Sequence, residues 1–486
     1  MTIPKEVKNI INQLKTAGFE AYIVGGCVRD FLLNQNPKDW DITTNAKPEE
    51  IQKVFPNSFY ENNFLTVTVH TGSKKPALGE IEVTTYRLET KYSDKRHPNE
   101  VRFAKTLEED LARRDFTVNA LALSVVKGMA GEITDFFDGQ EDLKNKIIKT
   151  VGNPDERFSE DALRMLRAVR FATTLEFTIE EKTAEAIIKN SVWLEAISKE
   201  RVKDELLKII MSKKASDGIE LLRELGLLKF ILPELLENYG VGQNKHHIYD
   251  CYQHALKALE YTANKKFNIY VRLAALFHDI AKPRVKVGQG INSTFYNHEV
   301  IGAKMAFQIL NRLKFSNKEI EKIVKLIKYH MFYYNVDEVS ESSVRRLVKN
   351  MGPENMEELL QLREADRIGS GVPKAEPYKL RHLKYTIEKV SKDPISVGML
   401  KVDGKDVMEI LKVSPGPMVG QILDVLLGHV LDDPKKNTKE FLEKEIKNLG
   451  KLGEKELKSL AEKSKEEKEV VQEKEDKVTK DKYWVK

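Results

Sequence analysis

Apolar residues recur along the chain in two rhythms. Up to about residue 140, short strand-like runs, Tyr22–Val24, Leu65–His70 and Glu80–Thr85, are interleaved with helical stretches. The first of these, "MTIPKEVKNIINQLKTAGFE", reads as an amphipathic helix with Ile10, Ile11 and Leu14 on one side. From about residue 140 to 450, nearly every segment carries apolar residues three and four apart. Ser159–Thr173, Ile179–Lys189, Lys199–Met211, Arg272–Ala281, Glu299–Leu313 and Lys318–His330 are predicted as helices on this ground. "VSPGPMVGQIL" (Val413–Leu423) is a Pro/Gly turn opening another helix. From Lys451 onward Lys and Glu dominate, which predicts a solvated helix or a disordered tail without chemistry of its own. No internal repeat emerges. The fold class expected is therefore α+β at the start, with a small mixed sheet, followed by a long all-α body.

Composition changes this picture little. With 486 residues the chain has room for several domains, and 41% hydrophobic residues suffice for real cores. The net charge of +5 is the residue of 80 basic against 75 acidic side chains, so a polyanionic partner is permitted and any basic surface would be local. Cys27 and Cys251 cannot build a disulfide framework, which suits a reducing compartment. The first residues lack the apolar core of a signal peptide, and no apolar run is long enough for a membrane span. The expectation is a cytoplasmic, soluble protein with no membrane partner. Nothing in the pattern sets an oligomeric state.

Candidate chemistry begins in "AYIVGGCVRDFLLNQNPKDWDITT" (Ala21–Thr44). Asp39 and Asp41 flank Trp40, and on a strand residues two apart point to one face. Two adjacent carboxylates repel, so bringing them together makes sense mainly around a divalent cation. Mg2+ takes a few hard oxygens shared with substrate phosphates. Gly25 and Gly26 would let the backbone turn its N–H groups toward a triphosphate, and Arg29 could pair with phosphate or with Asp30. Alone, the two aspartates would read as a solvated strand end; the glycines and Arg-Asp before them argue otherwise.

This stretch resembles the first motif of the class II nucleotidyltransferases, the branch holding CCA-adding tRNA nucleotidyltransferases and bacterial poly(A) polymerases. The resemblance gives Asp39 and Asp41 the catalytic metals and makes Glu82 of "IEVTTYR" the third carboxylate. "ARRDFTVNALAL" (Ala112–Leu123) places Arg113, Arg114 and Asp115 ahead of an apolar helix and resembles the ribose-recognition motif, with Asn119 as a helper. "DFFDGQEDLKNKIIKTVGNP" (Asp135–Pro154) resembles the connector to a helical neck. In "EDALRMLRAVRFA" (Glu160–Ala172), Asp161 and Arg164 lie one helical turn apart, and Arg167 and Arg170 extend a basic stripe. An i,i+3 salt bridge is the plain reading. The chemical one is that cytosine and adenine both offer an amino donor beside a ring-nitrogen acceptor, which an Asp acceptor and an Arg donor match. Uracil and guanine reverse that polarity. The pattern resembles the family's protein template for CTP and ATP, with Glu160 as an orienting neighbour. "SKERVKDELLKI" (Ser198–Ile209) resembles the last motif, in which Arg201 and Glu205 brace the neck. The stretch Arg87–Arg102, polar and rich in charge, is expected to be a partly mobile loop, and the resemblance implies that it helps switch the pocket from C to A.

A second constellation lies further on. His254, His278 with Asp279, His298, His330 and Asp366 occur in the order of an HD-type phosphohydrolase domain, which the sequence resembles. The resemblance makes His254, His278, Asp279 and Asp366 core metal ligands and His298 and His330 accessory ones, for Ni2+, Mn2+ or Mg2+. A lone histidine on an apolar helix is usually a core residue; six candidate ligands in order are not. The resemblance divides the chain into a nucleotidyltransferase head (1–140), a neck with the base-recognition helix (141–235), an HD-type domain (236–375), a helical tail domain (376–450) and the charged tail (451–486). It implies template-independent addition of CMP and AMP from CTP and ATP to a tRNA 3′ end, with pyrophosphate leaving and Mg2+ as cofactor. The alternatives are a poly(A) polymerase, an enzyme adding only A or only CC, or a metal phosphohydrolase whose head merely binds RNA.

Overall fold

The structure, a computed structural model, describes residues 2–61, 66–92, 98–126, 128–244, 248–391 and 397–485. The chain divides into two compact units, residues 1–330 with 358–373, and residues 331–357 with 374–486.

The first unit opens with the amphipathic helix Lys5–Thr16, which buries Val7, Ile10, Ile11 and Leu14. The strands that follow are β1 (Ala21–Val24), β2 (Asp41–Thr44), β3 (Ser58–Glu61), β4 (Thr66–His70), β5 (Glu80–Thr85), β6 (Arg87–Tyr92), β7 (Pro98–Phe103), β8 (Leu121–Val126) and β9 (Met129–Asp135). Seven of them form a mixed sheet in the order β3-β4-β5-β2-β1-β8-β9. β1 runs antiparallel to β2 and β8, whereas β2 and β5 are parallel. In β5 the alternation of the sequence is realised: Ile81, Val83 and Thr85 face inward and Glu80 and Glu82 outward. Val24 and Ala122 pack with Tyr86, Leu107 and Leu111 in one core cluster.

Three local expectations change. β6 and β7 pair as an antiparallel hairpin, so the stretch Arg87–Arg102 is strand on both sides of residues 93–97, which lie outside the described residues. The apolar run after Asn119 is not a helix. A single 3-10 turn, Thr117–Asn119, leads into β8, whose Leu121, Ala122 and Leu123 are buried between its two neighbours. The helix expected over Glu160–Ala172 is two helices, Pro154–Glu160 and Leu163–Leu175. Asp161 between them is extended (φ −144°, ψ 104°), and its Oδ1 accepts from the Leu163 amide at 3.1 Å. An aspartate that bonds the backbone two residues on makes a turn where a helix would otherwise continue.

Apart from a short parallel pair of strands, Ile147–Ile148 with Thr178–Ile179, the rest of this unit is built from helices. Ile269–Phe277 is capped by Asn268, whose side chain accepts from the amides of Tyr270 and Val271, and the helix ends at His278. Arg272, buried, donates to the carbonyls of Ile210 and Ser212 just past the helix Lys199–Ile210, binding neck to body. In the second unit the described residues form helices and the turns between them, with no strand. Pro417–Asp432 follows the Pro/Gly turn as predicted, and the charged terminus is a helix, Glu454–Tyr483, whose Leu457 and Ala461 join the core of Val407, Ile422, Leu426 and Ile446. Of the two states expected for that tail, it adopts the helical one.

Candidate active site and metal cluster

The head site is set by strand register. β1 ends at Val24, which pairs with Asp41, the first residue of β2. On its other side Asp41 is in register with Glu82 of β5, so these two carboxylates stand side by side on adjacent strands. Asp39 falls just outside the ladder, exposed, rather than on the strand with Asp41. The ligand atoms of the three do not all lie within 4.8 Å of one another. They do act on each other electrically. Burial, then Asp39 and Glu82, push the Asp41 carboxyl up to about 6, with Arg114 opposing. Glu82 is also raised, by burial and by Asp39 and Glu61. Among the described residues, none of the three carboxylates makes an ion pair. A concentration of unpaired negative charge with hard oxygen donors fits a divalent cation of the Mg2+ kind.

Gly25 closes the other side of the site. Its φ of +83° is left-handed, and a Cβ there would come within 2.7 Å of Arg114 Nη1 and 3.6 Å of Asp41 Oδ2. The Arg114 Nε is buried with no hydrogen-bond partner, while Nη1 donates to the Asn119 carbonyl at 3.4 Å. Burial lowers the pKa of this guanidinium, and Asp110 and Asp41 work against that. Gly26 opens the short helix Gly26–Leu32.

Several residues expected to meet substrate are also tied to each other. Arg29 donates to Asp30 Oδ1 at 2.6 and 2.9 Å and to Asn119 Oδ1 at 2.7 Å. Asn119 donates to Asp115 Oδ1 at 3.3 Å, and Arg167 donates to Asp115 Oδ2 at 2.7 Å. Burial disfavours the charge on Asp115, but Arg167 and Arg164 outweigh it and hold the carboxyl down at about 2. Arg113 is paired with Asp110 through Nε and Nη2 at 3.0 and 2.9 Å. Fully buried Asp110 also accepts from Thr43 Oγ1 and the Arg87 amide. Sequence reasoning passed over Asp110; the acid three residues before Arg113 was its signal.

Asp161 and Arg164 form no salt bridge with each other. Arg201 holds both Asp161 oxygens, at 2.6 and 3.3 Å, while Arg164 pairs with Glu160 and donates to the carbonyls of Arg113 and Arg157. Arg170 donates to Glu205 at 2.5 Å and stacks over Phe171. Arg201, expected only to brace the neck, thus grips the base-reading candidate itself.

The second constellation comes together fully. His254 and His278 have their Nε2 atoms 2.9 Å apart, and Asp279 Oδ2 lies 3.1 and 3.3 Å from them. Asp366 Oδ1 is 3.4 and 3.6 Å from the same nitrogens. His298 and His330 approach Asp279 Oδ1. All six are buried. Burial lowers the pKa of His330 to about 3, helped by His278. Asp279 and Asp366 are both held well below the carboxylate range, burial being outweighed by the neighbouring histidines with Lys282 and Arg363. Buried imidazole and carboxylate donors that converge in this way fit a divalent transition metal. Lys282 and Arg363, 2.5 and 2.7 Å from these carboxylates, were not singled out from sequence.

Comparison with known proteins places both regions in known families. Family models match residues 21–149 ("Poly A polymerase head domain"), 176–238 ("Probable RNA and SrmB- binding site of polymerase A") and 245–369 ("HD domain"). The CCA-adding enzyme of Enterococcus faecalis is 34% identical over 453 residues, 91% of this chain and 96% of its own length. The chain belongs to the CCA-adding enzyme family. It is a tRNA nucleotidyltransferase carrying an HD domain. The CCA-adding enzyme of Ligilactobacillus salivarius is 33% identical over 91% of this chain and 99% of its own. A solved structure of the Bacillus stearothermophilus CCA-adding enzyme in complex with CTP is 28% identical, with a TM-score of 0.58 over 91% of this chain and 96% of that one. Among the described residues, no helix is long and apolar enough to cross a membrane.

Proposed function

We propose that the head adds CMP and then AMP to the 3′ end of tRNA, taking CTP and ATP, and that Asp39, Asp41 and Glu82 are the residues that hold Mg2+ there. The observation that carries this reading is the register of Asp41 on Glu82, with Asp39 beside them and, among the described residues, no ion pair to any of the three. Bound Mg2+ would lower the pKa of the attacking hydroxyl and neutralise charge on the triphosphate. Arg114, with a free buried N–H beside Gly25, is suited to a triphosphate oxygen. Arg29, Asn119, Asp115 and Arg167 form one bonded chain linking the head to the helix Leu163–Leu175; it aligns nucleotide against the carboxylates and leaves Asp115 ionised to accept from a ribose hydroxyl. Arg113 and Arg170, each neutralised by an acid, frame this chain.

Asp161 and Arg164 read the base. Arg201 orients the acceptor and Glu160 the donor, so the pair meets cytosine or adenine already aligned. Replacing Arg201 with alanine is expected to lower kcat/KM for CTP and ATP by about 10- to 100-fold, the worth of a charge-assisted bond. The preference over UTP should shrink with it, and Arg201→Lys should restore part of both. Competition between labelled CTP and UTP measures this.

The direct test of the function is incorporation of each labelled nucleotide into tRNA lacking its 3′ CCA. Two C and one A are expected, with no U or G; long runs of A alone would overturn the reading in favour of a poly(A) polymerase. The HD cluster, with Ni2+, Mn2+ or Mg2+ bound, suits hydrolysis of phosphomonoesters or cyclic phosphates at RNA ends. Two buried, free cysteines are in keeping with a cytoplasmic location.

A further inference from the structure

Phe171 lies in the helix Leu163–Leu175 and is buried, 5% exposed, yet what meets its ring is charge. Three guanidinium carbons approach the ring centroid, that of Arg170 at 3.9 Å, Arg29 at 5.2 Å and Arg167 at 5.4 Å. Phe116 meets the same ring edge-on, with centroids 5.6 Å apart and planes at 79°. Arg167, one turn back on the helix, would be near in any case. Arg29 would not, since it comes from the helix Gly26–Leu32 of the head.

Arg29 and Arg167 are also the two ends of the bonded chain that runs through Asn119 and Asp115. Both ends therefore return to one ring, and the circuit closes across the boundary between head and neck. Phe116 belongs to it as well, because its amide donates to Asp115 Oδ1 at 2.9 Å. Three like charges brought this close repel one another. Asp30, Asp115 and Glu205 each offset one of them. A second carboxylate on any of the three would consume N–H groups and leave no charge to offer an anion. An aromatic face does neither. It attracts a cation through its quadrupole and leaves the charge and the N–H groups to others. A leucine would fill the space without that attraction.

We propose that Phe171 is a positioning residue for nucleotide addition, its ring holding Arg29 and Arg167, with Arg170 beside them, toward the triphosphate and ribose of the incoming nucleotide. The inference rests on the reading of Arg29 and Arg167 as parts of the nucleotide site, and it adds the apolar residue that keeps them there. It also divides the labour of the helix Leu163–Leu175: Arg164 near its start serves the base, and Phe171 near its end serves the sugar and phosphates.

The test uses the full chain and tRNA lacking its 3′ CCA. Phe171 is replaced by fluoro-, difluoro- and trifluorophenylalanine, which drain electrons from the ring face with almost no change of shape, and by leucine in Phe171→Leu. KM and kcat are measured for CMP and AMP incorporation, with melting followed by circular dichroism. KM for CTP and ATP is expected to climb stepwise with fluorine, by about 5- to 30-fold in the trifluoro chain, while kcat stays within about twofold. The preference for CTP over UTP is expected to hold, because the base readers are tethered elsewhere, to Arg201 and Glu160. A ring that only fills space would leave KM flat across the fluorinated chains, and that result overturns the proposal even where Phe171→Leu fails to fold. Arg29→Gln in the same assay tests the reading beneath. A native KM in that variant would sink Arg29 as a nucleotide contact; a raised one beside a flat fluorinated series would sink the role of Phe171 alone.

Discussion

Asp41→Asn is expected to lower nucleotide incorporation into tRNA lacking CCA about a thousandfold or more while leaving the fold at least as stable as before. The first half follows from the loss of a metal-holding oxygen, which supplies several kcal/mol to a phosphoryl transfer, at tenfold per 1.36 kcal/mol. The second half follows from the like charges around it. Burial, Asp39 and Glu82 raise the Asp41 carboxyl to about 6, so at neutral pH its charge works against folding. A neutral amide of the same shape relieves that repulsion. Single-turnover incorporation of labelled CMP, measured beside the melting temperature, separates the two effects. A fall in both together would mark Asp41 as a structural residue and sink the assignment.

Asp115→Asn should do the opposite to stability. Asp115 is 8% exposed and carries Arg167 and Asn119. Asp115 is buried but the Arg167 side chain is a third exposed, so water screens part of the loss and the cost falls below the about 3–5 kcal/mol of a fully buried pair. Activity should fall too, because the bonded chain between head and neck is cut. The pH dependence has a definite sign. Arg167 and Arg164 depress this carboxyl to about 2 against the pull of burial, so its contribution is fully present above the unfolded value near 4 and is lost as pH falls through about 2. That contribution is about 2 kcal/mol, from 1.36 kcal/mol per unit. Acid unfolding followed by circular dichroism should show the variant losing less stability than the native chain between pH 4 and pH 2.

Much of this was legible in the sequence, and the failures have physical causes. Strand alternation exposed β5, because one face of that strand is buried and the other is not, and the resemblance then singled out Glu82 on it. β8 was misread since its first residues are buried on both faces, which removes the period that tells strand from helix. Asp39 was placed on a strand because spacing cannot show where a ladder stops; β1 ends opposite Asp41, and nothing pairs before it. The break at Asp161 was invisible for a related reason. Phe158, Ala162, Met165, Leu166 and Val169, all buried, keep three- and four-residue spacing straight across it. The histidine cluster was readable from its residue types in order. Its supporting cations, Lys282 and Arg363, were not, since their relevance comes only from being packed against Asp279 and Asp366.

The extended residue between Pro154–Glu160 and Leu163–Leu175 has a consequence for how nucleotide choice can evolve. An unbroken helix would fix acceptor and donor at one pitch, and any change to one would drag the other. Here the carboxylate hangs from Arg201 and the guanidinium from Glu160, two separate tethers on different elements. If these two side chains read the base as proposed, a substitution at Arg201 or at Glu160 would loosen one of them and leave the bonds of the other in place.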